Sequence, residues 1–419
     1  MLTLEQWREN IRANPQQVAD EFLAGVAALP QAERQAVFYW TPDRITLGEA
    51  MAKGAATELP LAGLPFGAKD LFDVAGLPTT AGSDFLAEVR SNIVQTSPVV
   101  EKLQAHGAAL AAKVATVEFA YGMSGENAWY GDVPHPTLAG SLAGGSSNGS
   151  AYVVRRGLLP FSIGTDTSGS TRVPAAFCGL YSWRDTPAMF GEGGVFPLAQ
   201  SFDTPGWFAA DAASLQTLND VMLPKGEFAA SLRILDLSDY AEGLDPHLRM
   251  AGDALLSRLC ATKSLAAMSL VRTAFQECFD AYNILGSTEA YSLHAPWLDA
   301  YEERYDPVIW GRINRGRHWT QEQFDWAVRK EAAVEGMWNE LFADYDVIAL
   351  PVTPIASPTK ADMTEEFRVQ LLSLNTPASL GRCPALTVPL FLEDGRSGGL
   401  QFVFRHSRKE MASAILAQL

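Results

Sequence analysis

Apolar positions change their spacing along the chain, and each change marks a change of architecture. Over the first sixty residues they recur at helical intervals. Leu4, Trp7 and Ile11 lie on one stripe, and Thr3 with Gln6 has the spacing of a capping box. Pro15 interrupts that pattern, which resumes over 17–29. Residues 1–60 are therefore expected as helices packed on the outside of a larger body. From 61 to 207, short apolar runs at 64–66, 109–113, 159–164 and 179–183 alternate with helical stretches at 98–106 and 151–156. Such alternation predicts an α/β layered domain with a parallel or mixed sheet. Residues 208–343 are richer in helix formers, with helical spacing at 211–222, 247–260, 272–285 and 320–342 and a strand near 232–237. Strand-like runs return at 347–351, 385–391 and 399–404 before a closing helix at 408–419. The segment 344–419 is expected to rejoin the first sheet. On that reading 61–207 and 344–419 build one domain, and 208–343 is a helix-rich insertion covering it.

Composition narrows the function classes. The chain has 419 residues, 47% hydrophobic and 19% charged, as ordinary globular proteins do. A net charge of −16 argues against a general nucleic-acid surface. Cys178, Cys260, Cys278 and Cys383 are scattered without a C-x-x-C pair, which reads as thiols in a reducing compartment. The first residues carry charges where a secretory leader would be apolar, and no long uncharged apolar run offers a membrane span. A cytoplasmic location is expected, with no membrane and no nucleic acid as partner.

Candidate chemistry gathers in two Gly/Ser turns, GGSSNGS at 144–150 and TDTSGS at 165–170, on either side of the apolar run 159–164. Glycines at such turns allow positive φ and close approach of the backbone, and successive N–H groups can form an anion-binding concavity. Ser170 is the nucleophile candidate, although a serine before a helix is also a common cap. The backbone N–H groups of Thr167, Ser168, Gly169 and Ser170 are the candidate oxyanion donors. A serine hydroxyl needs a base. His106, His135, His247, His294, His318 and His406 sit in no hydrolase motif, and no G-x-S-x-G elbow occurs. A Ser-His-Asp site stays open at this point, because triads assemble from distant segments. Asp166 and Arg172 flank Ser170 and are expected to fix the turn as an ion pair or through backbone bonds.

A third segment, GLPFGAKD at 63–70, places Lys69 at the end of an apolar run. Together with GGSSNGS and GTDTSGSTRVP at 164–174, it resembles the amidase signature family of serine hydrolases. Weaker echoes follow at 202–207, 349–354 and 381–389, so the resemblance spans most of the chain. It implies a large mixed β-sheet sandwiched by helices, with Ser170 as nucleophile, Lys69 as base and Ser146 as the serine between them. It also implies a cis bond between Gly145 and Ser146. Ser147 competes with Ser146 by residue type but not by spacing. Lysine ordinarily titrates near about 10.4, so Lys69 must be desolvated or crowded by cations to act as a base. Tyr121, Gly122 and Met123 open a segment similar to the family's substrate-side loop. Two departures stand out. Ser168 occupies a position usually held by glycine, and PHPTLAG at 134–140 replaces the usual proline-rich run.

The implied activity is hydrolysis of a carbon–nitrogen amide bond in a small molecule through a seryl acyl-enzyme. An allophanate- or biuret-type substrate, an ester, or a role as an amidotransferase subunit are the alternatives. Outside enzymes, GGSSNGS can be read as a phosphate cradle, but the G-K-[ST] ending of such loops is missing. A non-catalytic subunit of a complex is the other such reading. No metal or cofactor is expected, and a homodimer is left open.

Overall fold

Strands buried at every position, rather than alternately, form the centre of the protein, because they are covered on both faces. The structure, a computed structural model, describes residues 1–190, 193–224, 226 and 231–419. Its ten strands are β1 (Phe38–Trp40), β2 (Pro65–Lys69), β3 (Ala109–Val114), β4 (Phe161–Asp166), β5 (Tyr181–Arg184), β6 (Thr204–Ala209), β7 (Ile234–Asp236), β8 (Val347–Pro351), β9 (Ala385–Phe391) and β10 (Ser397–Phe404). They form one sheet in the order β1-β3-β2-β4-β6-β5-β9-β10-β8-β7. β2 runs parallel to β3 and β4, and β7 to β8, while the other neighbours are antiparallel. The fold is thus a single α/β domain with a mixed sheet.

Each face of the sheet has its own core. On β8, Val347 and Ala349 join the cluster under the N-terminal helices, whereas Ile348 and Leu350 join Phe119, Tyr282 and Trp338 on the opposite face. That second cluster is closed by the helices Cys278–His294 and Gln321–Asp344. β9 lies beside β5, so the C-terminal strands extend the sheet begun by the early ones. Among the described residues no helix is long and apolar enough to cross a membrane.

Several elements differ from the pattern in the sequence. Residues 1–60 are not wholly helical, since β1 pairs antiparallel with β3 at the sheet edge. The helix expected over 272–285 is two helices, Leu265–Phe275 and Cys278–His294, with Glu277 at φ 60 between them. The closing helix shrinks to a 3-10 turn at His406–Met411 and the short helix Ala412–Leu416. β6 carries Pro205 and Gly206 in a central strand, where proline is normally excluded. Pro205 fits because it is asked only to accept, its carbonyl taking the Asp185 N–H at 3.0 Å.

The sheet order also creates the site. β2 and β4 are parallel neighbours, with Ala68 opposite Ile163. Their carboxyl ends therefore open at the same edge, where sites of α/β sheets collect.

Candidate active site

Lys69 is the last residue of β2 and is completely buried. Its Nζ donates to the Ser146 hydroxyl at 2.7 Å and to Thr165 Oγ1 at 2.8 Å. Burial drives the Lys69 pKa down to about 7, against the opposing pull of Asp203 and Asp166. The lysine therefore holds its proton weakly near neutrality.

The turn carrying Ser146 is pinned between the loop at 117–125 and the turn at 165–170. The Gly145–Ser146 peptide bond is cis. A Cβ on Gly145 would meet Gly122 O and Val117 Cγ2 at 3.0 Å, so a side chain there would have to push its neighbours back by a few tenths of an ångström. Val117 N donates to Ser146 O at 3.2 Å. Ser147 is occupied elsewhere. Its hydroxyl donates to Thr165 O at 3.0 Å, and its N–H to Ser170 O at 3.1 Å. That second bond ties the Ser146 turn directly to the backbone of Ser170.

Ser170 lies in the turn after β4, before the helix Arg172–Cys178, and is 2% exposed. Asp166 organises this turn from inside. Its Oδ1 accepts from Gly169 N at 2.8 Å, and its Oδ2 accepts from Thr171 N at 3.1 Å and Arg172 N at 3.2 Å. Arg172 closes on the same carboxylate through Nε at 3.0 Å and Nη2 at 2.9 Å, and Arg184 Nη1 reaches Oδ1 at 3.1 Å. All three charged groups are fully buried. Burial alone would raise the Asp166 pKa, but Arg172 and Arg184 overcome it and hold the carboxyl well below its usual range. Burial, opposed by Asp166, brings Arg184 down to about 10. Arg172 also binds Asn375 O at 2.9 Å and Gln401 Oε1 at 2.8 Å, anchoring the turn to the C-terminal segment.

Of the four backbone N–H groups expected as oxyanion donors, Gly169's is committed to Asp166. Those of Thr167, Ser168 and Ser170 have no acceptor among the described residues. Thr167 is held from its side chain, with Oγ1 donating to Asp203 Oδ1 at 2.6 Å. The other Asp203 oxygen accepts from Leu198 N at 2.7 Å and Ala199 N at 3.2 Å. Burial raises the Asp203 pKa to about 6.

Tyr121, Gly122 and Met123 border both serine turns. Gly122 O lies against Gly145, and the Met123 methyl stands 2.9 Å from where a Cβ on Gly169 would project. The departing segment at 134–140 is organised by His135, whose Nδ1 accepts from Thr137 N at 3.2 Å and Leu138 N at 3.0 Å while Nε2 donates to Phe177 O at 2.9 Å. Among the described residues no histidine is hydrogen-bonded to Ser146 or Ser170. No cluster of three His, Cys, Asp or Glu there is placed to hold a metal ion.

A family model described as amidase matches residues 21–245, more than half of the chain. The chain belongs to the amidase family. Amidase 1 of Oryza sativa subsp. japonica is 30% identical over 86% of this chain and 91% of its own length. The 1-carboxybiuret hydrolase subunit AtzE of Pseudomonas sp. (strain ADP) is 30% identical, over 82% of this chain and 80% of its own. A solved amidase crystal structure superposes with a TM-score of 0.85 at 26% identity, covering 100% of this chain and 98% of that one. The protein is accordingly an amidase, a hydrolase of carbon–nitrogen bonds other than peptide bonds.

Sequence reasoning missed several groups of this amidase's site. Thr165 lay in a noted turn, but nothing marked its hydroxyl as a second acceptor for Lys69. Asp203 lay in an echo of the family pattern with no duty attached. Arg184, Asn375 and Gln401 carried no local signal, because each reaches the turn only through the folded sheet and the helix Glu365–Leu380.

Proposed function

We propose that this amidase cleaves its substrate through a covalent ester on Ser170, with Ser146 and Lys69 as a two-step proton relay. The observation that carries the reading is the 2.7 Å contact between the buried Lys69 amine and the Ser146 hydroxyl, at a lysine whose burial lowers its pKa to about 7. In the first step Ser170 Oγ bonds to the amide carbon. Its proton passes to Ser146 Oγ, and the proton of Ser146 passes to neutral Lys69. The carbonyl oxygen becomes an oxyanion facing the N–H groups of Thr167, Ser168 and Ser170, a form of stabilisation commonly worth about 3–4 kcal/mol per donor. The proton then returns by the same path to the nitrogen of the leaving group, the C–N bond breaks, and ammonia or an amine departs. Water repeats the sequence on the acyl-enzyme and frees the acid. Asp166 and Arg172 act as positioning residues, holding the turn that aims the donors. Four unpaired cysteines support a cytoplasmic setting.

The test is labelling with a fluorophosphonate, followed by peptide mapping, beside ammonia release from a panel of primary amides and urea-derived acids. An adduct on Ser170, and loss of turnover in Ser170→Ala with the fold intact, are expected. An adduct on any other residue, or full activity in Ser170→Ala, overturns the assignment.

A further inference from the structure

Phe119 and Ala120, immediately before Tyr121, both lie in the left-handed region, at φ 50 and φ 59. Residues other than glycine take that conformation only where their surroundings impose it, and such positions gather at functional sites. The two ends of the turn they form close on the Gly145–Ser146 bond. At its entrance Val117 N donates to Ser146 O at 3.2 Å, and Val117 Cγ2 stands 3.0 Å from where a Cβ on Gly145 would lie. At its exit Gly122 O stands 3.0 Å from that same point. The turn 118–121 therefore sets the gap in which Ser146 is held.

Three residues hold the turn. Its middle is seated by Phe119, whose N–H donates to Ala81 O at 2.7 Å and whose ring meets the His294 ring edge-on, with centroids 4.5 Å apart. Its exit is held by Arg312, whose Nη1 donates to Tyr121 O at 2.6 Å. Its entrance is held by Glu118, which is 1% exposed. One carboxyl oxygen, Oε1, accepts from Trp129 Nε1 at 3.0 Å. The other, Oε2, accepts at 2.8 Å from the N–H of Asp306, the residue before the helix Pro307–Asn314, across 188 residues of chain.

Glu118 has no ion pair among the described residues. Arg304, two residues before Asp306, pairs with Asp84 and Glu88 instead. Burial pushes the Glu118 pKa up to about 8, the charges of Asp306 and Asp84 act the same way, and the two N–H bonds act against them. A buried carboxyl without a counter-ion is unfavourable, and a core position with no chemical duty is ordinarily apolar. What a carboxylate supplies there is acceptance through both oxygens. An indole N–H and a backbone N–H can only donate, whereas a glutamine in this place would offer one oxygen and turn an NH₂ group against the second donor.

We infer that Glu118 is a positioning residue of the relay. By gripping Trp129 and the backbone of Asp306, it fixes the left-handed turn whose ends, Val117 and Gly122, place Ser146 between Lys69 and Ser170. This rests on the seryl relay reading for what Ser146 does. No hydrogen bond joins Glu118 to Lys69, Ser146 or Ser170 among the described residues, so its effect passes through the backbone of Val117.

The experiment measures the rate of fluorophosphonate labelling at Ser170 in the full chain, with thermal melting by circular dichroism as the control. Glu118→Gln should label about tenfold more slowly, the size expected when one hydrogen bond to a charged group is lost. Adding Trp129→Phe removes the N–H that opposes the new amide, so the pair Glu118→Gln with Trp129→Phe should recover most of the parent rate. In a Ser146→Ala background Glu118→Gln should slow labelling no further, because residues that act through one another are not additive. A parent-like rate in Glu118→Gln, no recovery on adding Trp129→Phe, or slowing that adds in full to that of Ser146→Ala overturns the role of Glu118. Should Glu118→Gln not fold by itself, the pair with Trp129→Phe carries the test. Labelling of that pair near the parent rate supports the assignment, and an unfolded or slow pair overturns it. Ser146→Ala separates the two claims. If it labels at the parent rate the relay itself is lost, whereas a slow Ser146→Ala beside a fast Glu118→Gln loses only the role of Glu118.

Discussion

The Lys69 amine and the Ser146 hydroxyl meet at 2.7 Å in an interior where neither residue has exposed surface. A charged ammonium is disfavoured there, and a neutral amine with a hydroxyl neighbour is a proton acceptor. The same nitrogen has Thr165 Oγ1 at 2.8 Å, which fixes its direction as well as its distance.

Lys69→Ala and Ser146→Ala should therefore differ. On the proposed relay, removing Lys69 deletes the base, and a loss of about 10²–10⁴-fold in kcat is expected for general-base catalysis. Removing Ser146 leaves the base but breaks the bridge, and a water can stand in for the hydroxyl. Ser146→Ala should lose less than Lys69→Ala, with both variants folded. Steady-state rates on one amide, with circular dichroism as the control, decide it. A larger loss in Ser146→Ala would reject this ordering.

The pH profile follows from the charge state of Lys69. On the proposed relay its neutral form is the active one, so kcat/KM should rise with pH through about 7 and then level off. Of the charges acting on Lys69, that of Asp203 is the stronger and favours the protonated form. Asp203→Asn removes that anion, so the acid limb should move to lower pH, while the amide side chain can still accept from Thr167. Lys69→Ala should abolish the limb. A limb unchanged in Lys69→Ala would assign it to another group and remove Lys69 as the base.

Among the described residues, Asp166 is the only acidic partner that Arg172 and Arg184 share in their buried cluster. Asp166→Ala should cost about 3–5 kcal/mol of stability, because both cations are left in the interior without a counter-charge. Activity should fall with it, since Gly169 N, Thr171 N and Arg172 N lose their acceptor. Urea denaturation and rate measurements check both effects. A variant with unchanged stability would make the cluster incidental.

Gly169 takes φ 125, and a Cβ there would press on Met123 Cε at 2.9 Å and Asn375 Cβ at 3.1 Å. Gly169→Ala should therefore re-aim the N–H groups on either side of it. A kcat loss on the order of 10²-fold, as for a missing oxyanion donor, is expected with the fold retained. Retention of full kcat would show that the turn tolerates a side chain.

Motifs with short-range causes could be read directly from the chain. Gly145 beside Ser146, Gly169 before Ser170, and Asp166 six residues from Arg172 sit within single turns, where residue type controls backbone shape and reach. Apolar runs likewise marked most strands, because a strand buried on both faces leaves no polar position to hide it. Tertiary structure decided everything that depends on which strands are neighbours. β6 was masked by Pro205 and Gly206 and is held in the centre by β4 and β5. That placement brings Asp203 to Thr167, and the β2–β4 pairing brings Thr165 to Lys69 across 96 residues of chain. Local pattern reports what one residue's neighbours in sequence impose, whereas these contacts are imposed by sheet order and helix packing, which leave no mark at either partner's own position.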